Sequence, residues 1–301
     1  MNRVCTIIVT YNRLELLKGT ICAVQKQSYK SDVVVVNNGS TDGTLEYLES
    51  LQDIIAINQS NLGGAGGFFV GIKYAVENDY DYVWIMDDDV LPSKDSLEML
   101  TSELFSLEEE DKIGFVCSKV VNLDGDPVNL PQINTKQKAT GYPFWCEKLE
   151  DGIVRVSSAT FVSVLFPCSI VLKVGLPFKE FFIWGDDTEF TLRISKLYPC
   201  YLVGKSIVKH LRIGGGSLSF YQLKNRKRIK MFSYFYRNRF YLYRKGYGEL
   251  DERLLFYLSC TKLLFKLLLH LSFYKINIII SSLIKSFFFN PKIVYVKKKS
   301  E

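Results

Sequence analysis

The chain has 301 residues, 48% of them hydrophobic and 23% charged. That balance excludes a disordered or low-complexity chain, and the length suits one large or two modest domains with a sizeable core. The formal charge of +6 is the remainder of an asymmetry: residues 221–301 hold 18 Lys/Arg against 4 Asp/Glu, or +14, and the preceding 220 residues stand at −8. An acidic body with a basic, apolar tail implies two jobs, and the partner of the tail should be anionic. Seven cysteines without a Cys-x-x-Cys pair, and with no histidine at zinc spacing, read as reduced thiols in core positions. No charged n-region leads a long apolar stretch at Met1, so no signal peptide is expected.

In chain order, CTIIVT (5–10) predicts a buried strand, Arg13 to Gln27 a helix, and DVVVVNN (32–38) a second strand ended by the turn cluster GSTDG. Thr44 to Leu51 suits a short helix and IIAIN (54–58) a third strand. NLGGAGGF (61–68) reads as a glycine loop before a helical run to about Asn78. DYVWIM (81–86) is a fourth strand, stopped by three aspartates. Continuous apolar strands alternating with helices imply a mostly parallel α/β sheet covered on both faces, with ligands at the carboxyl ends of its strands. Between 111 and 180, KIGFVCSKVV and SATFVSVLF read as strands, and CSIVLKVGLP (168–177) as a short helix ended by Gly175 and Pro177. From about 221 the chain reads as helical, basic and aromatic. The expected division is a catalytic body over 1–220 and a helical, membrane-associating region over 221–301.

Residues 254–289 are very apolar, but Lys262, Lys266, Lys275 and Lys285 interrupt them. The uninterrupted stretches fall short of the ~18–20 residues that a spanning helix needs. Lys262 and Lys266, at i and i+4, share a helical face, which favours helices lying in a bilayer interface with lysines on anionic headgroups. A helical subdomain packed on the body and a spanning pair of helices are the alternatives. KNRKRIK (224–230) interleaves with aromatics further on, yet no nucleic-acid module surrounds it, so no nucleic-acid partner is expected.

Asp87, Asp88 and Asp89 directly follow an apolar strand. A helix cap would use one carboxylate, not three, and a hard cation such as Mg²⁺ or Mn²⁺ relieves their repulsion while sharing its ligands with a diphosphate. In extended chain Asp87 and Asp89 face one way and are assigned to the metal. Asp88 faces the other way and is assigned to the sugar or ribose of the ligand. In FFIWGDDTEFTLRI (181–194), a carboxylate beside Trp184 could be desolvated into general-base range, or the acids could simply favour the start of a helix. NNGSTDGT (37–44) and NLGGAGGF let backbone approach a ligand closely. No dinucleotide fingerprint or P-loop occurs. His210 precedes the triple glycine 214–216, which suits a hinge for a closing loop. His270 lies in the apolar tail and reads as core or interface.

Taken in order, TIIVTYNR, VVVVNNGSTDGT, NLGGAGGF, WIMDDDV, FFIWGDDTEF and His210 resemble glycosyltransferase family 2, the inverting enzymes of the GT-A fold, over about residues 3–245. The combination of NLGGAGGF, DDD and W-x-D-D-x-E-[FY] most resembles the galactofuranosyltransferase branch. The resemblance implies a Rossmann-like, mostly parallel sheet. It implies Thr10, Tyr11 and Arg13 against the nucleotide base and diphosphate, Asn38 at a base-contacting position, and Asn61 and Gly64 along the nucleotide. It implies Asp87, Asp89 and His210 as metal ligands, Asp187 as the base, and Trp184 and Asp186 on the acceptor side. Gly185 departs from the tighter W-D-D pattern of that branch.

The activity implied is metal-dependent transfer of a sugar from a nucleotide-diphospho-sugar, UDP-galactofuranose first, to a lipid-linked glycan. The enzyme would sit peripherally on the cytoplasmic face of the membrane. The alternatives are a rhamnosyltransferase using dTDP-rhamnose and a non-catalytic glycan- or lipid-binding protein on the same fold.

Overall fold

A computed structural model describes residues 2–211 and 219–297. The triple glycine expected to act as a hinge lies outside the described residues. The first half alternates as the sequence predicts: β1 (Val4–Thr10), α1 (Leu14–Gln25), β2 (Asp32–Asn37), α2 (Thr44–Glu49), β3 (Ile54–Asn58), α3 (Gly63–Glu77) and β4 (Tyr82–Asp87). Then follow β5 (Val90–Pro92), α4 (Ser96–Glu108), β6 (Phe115–Val121), β7 (Gln132–Ile133), β8 (Ile153–Ser158), β9 (Val164–Pro167), α5 (Cys168–Val174), α6 (Asp186–Ser195) and β10 (Cys200–His210). Three helices close the chain: α7 (Arg226–Arg244), α8 (Leu250–Leu269) and α9 (Phe273–Phe288).

The strands form one sheet in the order β3-β2-β1-β4-β9-β6-β10-β8-β7, with β5 also paired to β10. β3, β2, β1 and β4 are mutually parallel, as are β6 and β10, whereas β5, β7, β8 and β9 pair antiparallel. The β-branched runs are buried on both faces. Cys5, Ile7 and Val9 of β1 enter one core with Val34, Val36, Val83 and Ile85, and Val4 and Ile8 enter the opposite core with Val33, Val35, Trp84 and Met86. α3 and α5 cover the first face, α1 and α4 the second. Five of the seven cysteines are buried, and no disulfide joins any of them.

Two expectations need correction. NLGGAGGF is not a loop: α3 begins at Gly63, and its glycines are contact points. A Cβ on Gly67 would lie 2.3 Å from Val9 Cγ1, and one on Gly71 2.3 Å from Ile7 Cγ2, so glycine lets the helix lie directly on β1. The strand expected over SATFVSVLF shrinks to Val164–Pro167, because the backbone of Ala159 pairs with the Thr191 hydroxyl (N–H to Oγ1 3.2 Å, Oγ1 to C=O 3.3 Å) instead of joining a ladder. The sheet is mostly parallel at its centre, as expected, with β9 inserted antiparallel between β4 and β6.

The tail is bound to the body. α9 buries Ile278, Ile279, Ser282 and Ser286, sharing a core with Tyr236 and Phe240 of α7. Beyond it the chain returns to the sheet, where Leu176 N–H donates to the Val294 carbonyl at 2.8 Å and Val296 enters the first core.

Candidate active site

The site is built where the order of the parallel strands reverses, at the carboxyl ends of β1, β2 and β4. Register puts Thr10 beside Asn37 and Val9 beside Asp87. β4 ends at Asp87, and Asp88 and Asp89 form a turn into β5 rather than extended chain. The β5–β10 pairing then sets His210 opposite Val90, and Leu211 N–H closes the pair by donating to the Asp89 carbonyl at 2.8 Å. In this way a strand more than a hundred residues further on delivers an imidazole to the acid turn.

One ligand atom from each of Asp87, Asp89 and His210 falls within 4.8 Å of the others. His210 Nε2 is 3.1 Å from Asp89 Oδ1, and Nδ1 is 2.9 Å from Asn129 Oδ1. The contact of Nδ1 with Asn129 fixes the ring and turns Nε2 toward the acids, as expected of a metal-binding histidine. Two carboxylate oxygens and an imidazole nitrogen suit Mn²⁺ or Mg²⁺ as a donor set. Burial raises the Asp87 carboxyl well above its ordinary value, and the charges of Asp89 and Asp88 raise it further, partly opposed by the charge of Arg13. Burial also acts to raise Asp89, but its bonds to His210 and Arg13 outweigh this and hold it below the ordinary carboxylate range.

Thr10 and Arg13, implied to flank a nucleotide, direct their polar atoms to the same turn. Thr10 Oγ1 donates to Asp88 Oδ2 at 2.7 Å. Arg13 Nη1 lies 3.3 Å from Asp88 Oδ1 and 2.7 Å from Asp89 Oδ2. Burial pushes Asp88 up to about 6, partly opposed by Thr10 and Arg13. Tyr11 is exposed on the bend after β1. Asn38 is buried, its amide donating to the Gly63 carbonyl at 3.1 Å and its Oδ1 accepting from Gln59 Nε2 at 2.5 Å. Asn61 Oδ1 accepts from Gly63 N–H at 2.9 Å, and Gly64 faces open space. Thus Asn38 and Asn61 fix the start of α3, with Gly64 presented beside them.

The second half of the site is the loop before α6. Phe182 and Trp184 take positive φ (64° and 63°), as does Gly185 (93°). Strained conformations in two aromatic residues need support from their surroundings. The support comes from α7: the Asn238 amide donates to the carbonyls of Phe181, Ile183 and Trp184 at 2.9, 3.0 and 2.8 Å. On the other side, Ala65 N–H donates to the Phe182 carbonyl, joining the loop to α3.

Asp187 and Trp184 line one cavity of about 190 Å³ with Gly185, Thr188, Phe235, Arg239 and Leu242. A second cavity of about 310 Å³ shares Thr188, Arg239 and Leu242 and runs on toward Gln132, Tyr243, Tyr247 and Glu252. Burial raises the Asp187 carboxyl above its ordinary value, against bonds from Thr188 (N–H to Oδ1 2.7 Å) and the charge of Arg239. Asp186 is more deeply buried and faces Asp87 electrostatically. Burial first, then the charge of Asp187, raises it. Glu189 is structural: it pairs with Arg193 at 2.9 Å and accepts from Tyr247 at 2.8 Å.

Sequence reasoning misses Asn129, Asn238 and Arg239. The last two lie in a segment whose basic, aromatic composition signals a membrane or nucleic-acid partner, and Asn129 sits in a region without clear periodicity. His270 is exposed, edge-on to Tyr221 at 5.6 Å.

A mostly parallel sheet with an Asp-Asp-His cluster at the ends of its central strands defines a glycosyltransferase of GT-A fold. Among solved structures, the chain resembles GalNAc-T7 crystallised with UDP, GalNAc and Mn²⁺ (TM-score 0.56, 13% identity, covering 84% of this chain and 53% of that one). It also resembles S. aureus TarS (TM-score 0.52, 16% identity, 79% and 43%). The chain spans about half the length of these structures. Residues 5–161 match glycosyl transferase family 2, and the protein belongs to that family. The galactofuranosyltransferase GlfT1 of Mycolicibacterium smegmatis is 30% identical over 264 residues, which cover 79% of this chain and 82% of that protein. GlfT1 of Mycobacterium tuberculosis is 29% identical over 202 residues, 64% of each chain.

Proposed function

We propose that the protein is an inverting, metal-dependent galactofuranosyltransferase that moves galactofuranose from UDP-galactofuranose to a lipid-linked glycan in surface-polysaccharide synthesis. The observation that carries the donor is the similarity of 79% of the chain to the M. smegmatis galactofuranosyltransferase. Asp87, Asp89 and His210 would hold Mn²⁺ or Mg²⁺, the group that supplies positive charge against the departing diphosphate when bound. Thr10, Tyr11, Arg13, Asn38, Asn61, Gly64 and Asp88 form the donor side. Trp184 offers the acceptor sugar a flat apolar face, with Asp186 behind it. Asp187 takes the proton of the acceptor hydroxyl as that oxygen attacks the oxocarbenium-like anomeric carbon from the face opposite the leaving group, which inverts the centre. The raised carboxyl of Asp187, in a cavity shared with Trp184, supports this role.

The enzyme works at the cytoplasmic face of a membrane, held there by the basic, apolar C-terminal helices. Among the described residues no helix is long and apolar enough to cross a membrane, which suits a peripheral attachment.

The test is nucleotide release by pure protein with Mn²⁺ from UDP-galactofuranose, UDP-galactopyranose and dTDP-rhamnose. UDP-galactofuranose should turn over fastest. Preference for dTDP-rhamnose would make the protein a rhamnosyltransferase, and no release from any donor would make it a binding protein. Asp187→Asn should lower transfer by roughly 10²–10⁴-fold with donor binding retained. Near-normal turnover would remove Asp187 as the base.

A further inference from the structure

A groove of about 520 Å³ lies between α7, α9 and the Phe182 loop. α7 turns Phe235, Arg239 and Leu242 to the Asp187 cavity, and a different face to the groove, with Lys227, Lys230, Tyr234 and Arg237 in a stripe at spacings of three and four. Lys285 of α9 supplies a fourth cation, and no carboxylate lines the groove. Among the described residues, none of these four side chains is in an ion pair. Arg237 is held in place through Nε and Nη2, which donate to Asn238 Oδ1 and to the carbonyls of Glu180 and Phe181. Its Nη1 makes no hydrogen bond among the described residues. Tyr234 stacks on Phe182 at 4.7 Å and stiffens the wall.

The charge pattern runs against helix stability. The first turn of α7 holds Arg226, Lys227 and Arg228 and no acid, where the helix dipole favours acids. A local rule broken by a run of cations around a groove is explained by a bound anion. Two neighbours say which anion. Lys285 sits on α9 next to the exposed Ile284 and one turn from Phe288, which is 84% exposed, so the groove opens beside apolar surface suited to a lipid chain. Phe182, on its inner wall, is two residues from Trp184 in the cavity of Asp187.

We propose that this groove binds the diphosphate of the lipid-linked acceptor, with phosphate oxygens on Lys227, Lys230, Arg237 and Lys285, so that the sugar reaches Trp184 and Asp187 while the lipid leaves along α9. The choice of acceptor rests on the transferase reading above, whereas the anion site rests on the groove itself.

The double variant Lys227→Gln/Lys230→Gln tests it. Both side chains are exposed, and removing the Lys227 cation from the first turn should favour α7, so folding should be kept. Binding to phosphatidylcholine vesicles doped with a polyprenyl diphosphate should weaken by about tenfold or more, and binding to phosphatidylglycerol vesicles should change far less. KM for a polyprenyl-diphosphate acceptor should rise by a similar factor at constant kcat, with no change for the same glycan on a neutral alkyl chain. Equal losses on both vesicle types would make the groove a general headgroup site and overturn the acceptor assignment. Unchanged binding to both would overturn the anion site. A selective loss of polyprenyl-diphosphate binding in the double variant, beside a wild-type protein that transfers no galactofuranose, would leave this site standing and dismiss the transferase reading instead.

Discussion

Asp186 and Asp187 are neighbours in sequence with different surroundings. Asp187 faces a cavity and is partly offset by Arg239, whereas Asp186 is buried with Asp187, Glu189 and Asp87 acting on it. Its folded-state pKa is therefore raised, to about 8. The sign follows directly: the folded state holds the Asp186 proton more tightly than the unfolded chain does. Its contribution to stability is thus full at low pH and is lost as pH climbs from the ordinary carboxylate range to about 8. Asparagine resembles the protonated acid and titrates nowhere. Asp186→Asn should therefore melt close to wild type at pH 4 and progressively above it toward pH 8, in thermal unfolding with chelator present. A gap that stays constant across this range would show that Asp186 carries no buried charge. The W-x-D-D pattern makes the carboxylate pair legible in the sequence, but not this division, because the groups that separate the two acids come from β4, α6 and α7.

At the scale of elements, the sequence makes β1 to β4 legible because fully buried parallel strands leave unbroken β-branched runs such as VVVV. Two kinds of element escape it. A strand with mixed partners such as β10, parallel to β6 and antiparallel to β5 and β8, alternates buried and exposed residues along its second half and slips register between Val203 and Ile207, so no continuous run marks the strand that carries His210. The start of α3 is hidden by glycines that serve two purposes. Gly71 is needed for packing, since a Cβ there would lie 2.3 Å from Ile7, while Gly64 faces open space. Gly71→Ala should cost about 1–3 kcal/mol in denaturant unfolding through overpacking. Gly64→Ala should instead gain about 0.5–1 kcal/mol from helix propensity and reduced unfolded-state freedom. If the nucleotide lies along Gly64, that same stabilised variant should show a raised KM for the donor. A Gly64→Ala protein with unchanged donor kinetics would move the nucleotide away from this turn, and a stable Gly71→Ala protein would mean that α3 can lift from β1.

At the scale of the whole molecule, the +14 tail and the −8 body are joined by α7, whose Asn238 supports the loop before α6 while its other faces meet α9 and the basic groove. The tail therefore packs and exposes at once. α8 buries Cys260 and Leu267 but leaves Leu254, Leu258, Phe265, Leu268 and Leu269 exposed, and α9 leaves Phe273, Ile280, Ile284, Phe287 and Phe288 exposed. These positions recur at helical spacing, and Lys262, Lys266 and Lys285 lie among them, which is the pattern of helices seated in a bilayer interface. Two forces would then hold the protein there, and salt separates them. In about 1 M salt the Debye length is about 3 Å, so lysine–headgroup attraction fades while burial of apolar side chains remains. Wild-type protein should float with vesicles of mixed phosphatidylcholine and phosphatidylglycerol, and part of that binding should survive high salt. Replacing Phe265, Ile284, Phe287 and Phe288 with serine removes side chains that are more than half exposed, so folding should be nearly unaffected. Each such side chain contributes about 1.5–3 kcal/mol when fully buried. The serine variant should therefore lose most of the salt-resistant fraction and keep mainly binding that salt abolishes. If it floats as wild type does in high salt, these faces do not enter the bilayer, and the membrane is reached through the lysines alone.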